Sequence, residues 1–127
     1  MYLYHVTPQD NVASIMRQGL DPLRSRGMLA LCWLCDPDRI AWAARHLWQR
    51  KRCRMSEAVI IRVATDEHPI SRAATPGLWI TGRLISPRAL WVMGRAVDLC
   101  PSLDARPLRV NVLKRKRYAA KRDGGGS

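Results

Sequence analysis

The first twenty residues, MYLYHVTPQDNVASIMRQGL, change hydrophobic period midway and stop at a glycine. LYHVT alternates short apolar and polar residues, the period of a strand. Asp10 or Asn11 then offers an N-cap, and Val12, Ile15 and Met16 give one apolar face to a helix ending near Gln18. Gly19 is the expected stop, with Leu20 folding back onto the helix. A strand that turns directly into a short amphipathic helix points to helices packed on a sheet.

The rest of the chain repeats and then varies this pattern. DPLRSRG reads as a loop and MLALCWLC as a buried or half-buried strand. Asp36 is the expected cap of a second helix, with Pro37 at its first position, running roughly from Asp38 to Arg52 with Ile40, Ala43, Ala44 and Leu47 on one side. AVIIRVAT is rich in β-branched residues and reads as a strand. DEHPISRAATPG is a loop, LWIT a short strand, and ISPRALWVMG a turn followed by a short strand or a helical turn. PLRVNVLKRKRY closes the fold as a strand that runs into a basic tail. The order β-α-β-α followed by strands predicts an α+β fold. At 127 residues and 47% apolar, the chain suits a single domain over 1–113. Residues 114–127 are expected to form a disordered basic tail, its GGGS end an appended linker.

Charge narrows the partners. Lys and Arg number 22 against 10 Asp and Glu, a net +12. That excess points to a polyanion, most simply DNA or RNA, as a free strand or within a ribonucleoprotein or larger assembly. Two clusters stand out: Arg50, Lys51, Arg52 and Arg54 after the second helix, and Lys114, Arg115, Lys116 and Arg117 in the tail. Part of the first cluster also suits the helix dipole. No apolar run approaches 18 residues and no secretory signal is visible, so no membrane partner and a cytoplasmic location with reduced cysteines are expected.

Candidate chemistry lies in a few places. His5 and Thr7, two apart in a strand, share a face; they suit either a ligand or the satisfied edge of a core. Cys32 and Cys35, with His46 and Cys53, have zinc-ligand types, but strand geometry turns Cys32 and Cys35 to opposite sides, so free thiols and no metal site are expected. The two glutamates, Glu57 and Glu67, form no acidic pair. Arg24 and Arg26 flank a serine in a loop, where a guanidinium can fork onto phosphate. The five tryptophans are mostly packing, with one or two available to stack on a base.

In order, these stretches resemble the ADP-ribosyltransferase fold. YHVT with Asp10, Asn11 and Val12, closed by Gly19-Leu20, is similar to the first strand and helix of the DNA-targeting ADP-ribosyltransferase toxins. Gly77-Leu78-Trp79-Ile80-Thr81, with Pro87 beyond it, is similar to the later motif of the tRNA 2′-phosphotransferases. The resemblance spans roughly residues 2–92. It implies a small split two-sheet core with two helices that grips NAD. It further implies that His5 and Thr7 hold the nicotinamide-side ribose, that Asn11 lies near the cofactor, and that Trp33, in the aromatic position of CWLCD, stacks on the nicotinamide. Arg26, or Arg24 if the register differs by two, would steady a phosphate, with His5 and Arg26 as the catalytic pair.

The chain also departs from that pattern. The glutamate that many transferases carry before the strand matching 78–81 is missing, as are the second His-x-His strand and the extra N-terminal lobe of the phosphotransferases. Three functions follow: an NAD-using transferase acting on nucleic acid, a minimal RNA 2′-phosphotransferase, or a basic nucleic-acid-binding module that kept the fold without catalysis.

Overall fold

The computed structural model describes residues 1–24 and 31–100. Arg26, the strand expected over 107–118 and the basic block 114–117 lie outside the described residues. Six strands, β1 (Tyr2–Pro8), β2 (Cys32–Cys35), β3 (Ala58–Ala64), β4 (Ser71–Arg72), β5 (Leu78–Thr81) and β6 (Leu90–Arg95), form one antiparallel sheet in the order β4-β5-β2-β1-β3-β6. Among the described residues three α-helices accompany them: α1 (Val12–Gln18), α2 (Ile40–Gln49) and the single turn α3 (Ala96–Leu99). The fold is α+β, and the described strands form one sheet where two were expected.

That sheet is nevertheless unevenly joined. β1 pairs with β3 along its whole length, and β2 with β5 likewise. Between β1 and β2 only Tyr4 and Cys35 are in register. The sheet thus consists of two three-stranded halves hinged at one pair.

Strand alternation divides the core in two. On one face Leu3, Cys32, Leu34, Ile61, Val63 and Leu90 pack with Leu20 and Ile85, under Ile15 and Met16 of α1. On the other, Cys35, Ala58, Ile60 and Leu78 pack against Ile40 and Ala44 of α2, with Tyr4 and Val6 alongside. Cys32 and Cys35 accordingly fall into different clusters, as the strand period predicts.

Several expected boundaries move. α1 is entered through a 3-10 turn, Gln9–Asn11, and the Asn11 side chain makes no cap bond. Asp36 does not cap either: a 3-10 turn, Pro37–Arg39, leads into α2, and the Asp36 carboxylate accepts the Trp79 indole N–H at 2.9 Å. α2 ends at Gln49 rather than Arg52 because Lys51 adopts a left-handed φ of 56° and its N–H bonds the Trp48 carbonyl. Ser71–Arg72, inside the expected loop, adds an edge strand.

Gly19 is the stop its position implied, for a more demanding reason. Its φ of 91° and ψ of 177° lie in a region reserved for glycine. A Cβ there would collide with the Ile85 carbonyl oxygen, where Leu20 and Ile85 exchange both backbone bonds at 3.0 Å.

Candidate functional site

The site is built at the hinge of the sheet. Beyond the Tyr4–Cys35 pair β1 and β2 lose register, and the His5 side chain fills the gap. Its Nδ1–H donates to the Trp33 main-chain oxygen at 2.9 Å, standing in for a backbone donor. The carbonyl fixes the tautomer, so Nε2 carries the lone pair, and it has no partner among the described residues. His5 is partly buried. Desolvation lowers its pKa below the ordinary value, with the bond to Trp33 acting in the opposite sense, so the imidazole is neutral at pH 7. A fixed, neutral imidazole with a bare Nε2 is a hydrogen-bond acceptor suited to a hydroxyl.

Thr7 lies two residues on, on the same face, and is buried. Its Oγ1 accepts a long bond, 3.4 Å, from Asn11 Nδ2 at the entry to α1. The structure thus gathers His5, Thr7 and Asn11 along one edge of β1 and the turn that follows. Arg24 is exposed; it donates to Ser14 Oγ of α1, the helix packed on this face, at 3.2 Å and lies 3.9 Å from Asp21.

Trp33 is placed otherwise. Cross-strand partners share a face, so Cys35 lies with Tyr4, and Trp33, two residues from Cys35, lies on that face too. His5 points to the opposite side. The Trp33 ring is about half exposed, at 51%, and only its carbonyl meets His5. The tryptophan that shares the His5 face is Trp79, registered against Leu34. It is fixed by its bond to Asp36 and lies beneath the Arg72 guanidinium, 4.8 Å from the ring centre. The sequence alone places no site residue at Trp79 or Arg72, because the face Trp79 occupies follows from its register against β2.

Burial raises the pKa of all four thiols. Burial, with Asp21 nearby, pushes Cys32 up to about 11, and burial with Asp36, Asp38 and Cys100 pushes Cys35 up to about 12. Among the described residues no cluster of three or more metal-binding side chains occurs. Glu57 is engaged by the Arg54 backbone N–H at 2.9 Å, and Glu67 sits exposed in the turn after β3; neither stands at the start of β5.

The first basic cluster is one turn. Arg50, Lys51, Arg52 and Arg54 are all exposed around the end of α2. On the adjoining outer side of α2, Trp42 stacks on His46 with ring centres 5.1 Å apart, and Trp48 is also exposed. No helix among the described residues is long and apolar enough to cross a membrane.

Comparison of the chain with protein-family models, curated proteins and solved structures gives no match.

Proposed function

We propose that the chain is an NAD-using transferase of the ADP-ribosyltransferase type that acts on nucleic acid. The observation that carries this reading is His5: a neutral imidazole locked by Trp33 at the divide between two half-sheets, with Nε2 unpartnered among the described residues. The two halves hinged at one pair also support the split core that the resemblance implies.

The donor set fits a dinucleotide in part. His5 Nε2 would accept a ribose hydroxyl, and Thr7 and Asn11 supply a second hydroxyl and an amide beside it. Arg24, oriented by Ser14 and Asp21, would meet a phosphate. Trp33 does not fit the stacking role on the His5 face, whereas Trp79 has the position for it. When bound, the dinucleotide supplies an ADP-ribosyl group through cleavage of its glycosidic C–N bond. The chain's part is to orient the ribose through His5 and to collect a polyanionic acceptor through its net +12 charge.

A second reading has its own observation. No glutamate stands at the start of β5 to polarise the ribose, which favours a basic nucleic-acid-binding module without transferase activity. The test is incubation of the full chain with dinucleotide labelled in its adenylate half and single-stranded DNA, RNA or RNA bearing a 2′-phosphate. Label on any of these acceptors is expected. Nucleic-acid binding without label transfer or release of nicotinamide would replace the first reading with the second.

A further inference from the structure

The face of the sheet that carries α2 is covered at one end only. Tyr4 and Val6 pack with Ile40 and Ala44, whereas at the other end of β1, β3 and β6 no described hydrophobic residue packs over Tyr2 and Trp91, which stay exposed. Three side chains occupy it. Arg62 is registered between Tyr4 on one side and Trp91 on the other, and Tyr2 lies one residue pair further along the same face. The Arg62 Cζ sits 4.4 Å from the Tyr2 ring centre and 4.6 Å from that of Trp91. A guanidinium is thus held against two aromatic rings, and its Nε is buried with no hydrogen-bond partner among the described residues. The rings remain open: Tyr2 is 53% and Trp91 62% exposed.

The platform is held in place. The N-terminal ammonium pairs with Asp66 at 3.0 Å, and both the backbone and the hydroxyl of Thr65 bond the Met1 carbonyl. Two adjacent aromatic rings set around one cation form a contiguous exposed surface with both apolar and charged character. An acidic or apolar protein surface would use either the charge or the rings. An unpaired nucleobase strand uses both, since a base stacks on an aromatic face while its phosphate meets the cation.

We infer that Tyr2, Arg62 and Trp91 form a stacking platform for single-stranded nucleic acid. This rests on the reading that the chain's polyanionic partner is nucleic acid, and it names the surface that takes the bases. Charge complementarity supports the choice, because the chain carries +12 and Arg88 is exposed in the turn that leads into β6. A duplex hides its base faces, so the platform discriminates strand state and not sequence.

The test is titration of the full chain with a fluorescent dT12 strand and with a 12-base-pair duplex, read by anisotropy, for the wild type, Trp91→Ala, Trp91→Phe and Tyr2→Ala. The Trp91→Ala change is expected to weaken single-strand binding roughly 5- to 100-fold, with Trp91→Phe close to wild type and the duplex affinity little changed. Tryptophan emission quenched by the strand in wild type and less so in Trp91→Phe supports the same conclusion. Single-strand affinity unchanged in both Ala variants overturns it. So does a dimer in wild type that becomes a monomer in Trp91→Ala with strand binding intact, since the face is then a contact between copies. Unaltered label transfer alongside unaltered binding in Trp91→Ala sinks the platform alone; strand binding lost in Trp91→Ala with no label transfer in wild type sinks the transferase reading alone.

Discussion

His5 Nδ1 and the Trp33 main-chain oxygen, 2.9 Å apart, close the gap between strands that otherwise meet only at Tyr4 and Cys35. One side chain therefore ties the two half-sheets together, and its second nitrogen has no hydrogen-bond partner among the described residues. Replacing His5 by Ala removes a single hydrogen bond, a loss of about 1 kcal/mol in urea unfolding. A loss several times larger would make His5 a core residue first and a site residue second.

The same burial sets a pH dependence. The folded-state pKa of His5 lies below its ordinary value of 6.5, so the unfolded chain takes up the proton first. The stabilisation is complete above about pH 6.5 and is lost as pH falls from there through the folded pKa. Urea unfolding from pH 7.5 to 5 is expected to show wild type losing stability relative to His5→Gln, with a slope of at most about 1.4 kcal/mol per pH unit. Parallel curves would show that His5 is hydrated in the folded protein.

Cys32 and Cys35 offer a check on the two clusters. Thiols pushed up to about 11 and about 12 are protonated at pH 7.5 and lie inside opposite faces of the sheet. Iodoacetamide followed by peptide mass mapping is expected to label both only after denaturation. Rapid labelling of either in the native protein would contradict the placement of β2.

Gly19 bears on how α1 is seated. Its backbone conformation and the Ile85 carbonyl above it leave no room for a Cβ. Gly19→Ala is expected to cost about 2–3 kcal/mol, read as a shift in the urea midpoint with an unchanged slope. A cost under about 0.5 kcal/mol would mean that the Leu20–Ile85 pairing yields easily.

The turn after α2 makes a prediction about salt. Changing Arg50, Lys51, Arg52 and Arg54 together to Ala is expected to weaken nucleic-acid binding at all sequences and to lower the slope of log affinity against log salt by about 0.7–0.9 for each phosphate no longer neutralised. An unaltered slope would mean that other cations of the chain meet the phosphates.

Local pattern was enough for much of this fold. The alternation of LYHVT, the β-branched run of AVIIRVAT and Gly19 at the end of the first helix are all signals within a few residues, and each element formed where they lie, while Pro37 opens the 3-10 turn that leads into α2. What escaped depends on distant partners. Asp36 looks like a cap until Trp79, 43 positions away in sequence, supplies an indole N–H. The face that Trp33 occupies follows from its register against β5 and β1, which no local period contains. Ser71–Arg72 becomes a strand only because β5 offers an edge. Tyr2, Arg62 and Trp91 come together across three strands, and only the paired sheet makes them neighbours.

His5 is proposed above to hold a dinucleotide. Isothermal titration of the full chain with NAD tests it most directly, beside His5→Ala at the same concentration and with its folding confirmed by melting. The account predicts saturable heat for the wild type and none for the variant, whose melting temperature falls only slightly. No heat for the wild type, or equal heat for both proteins, would contradict it.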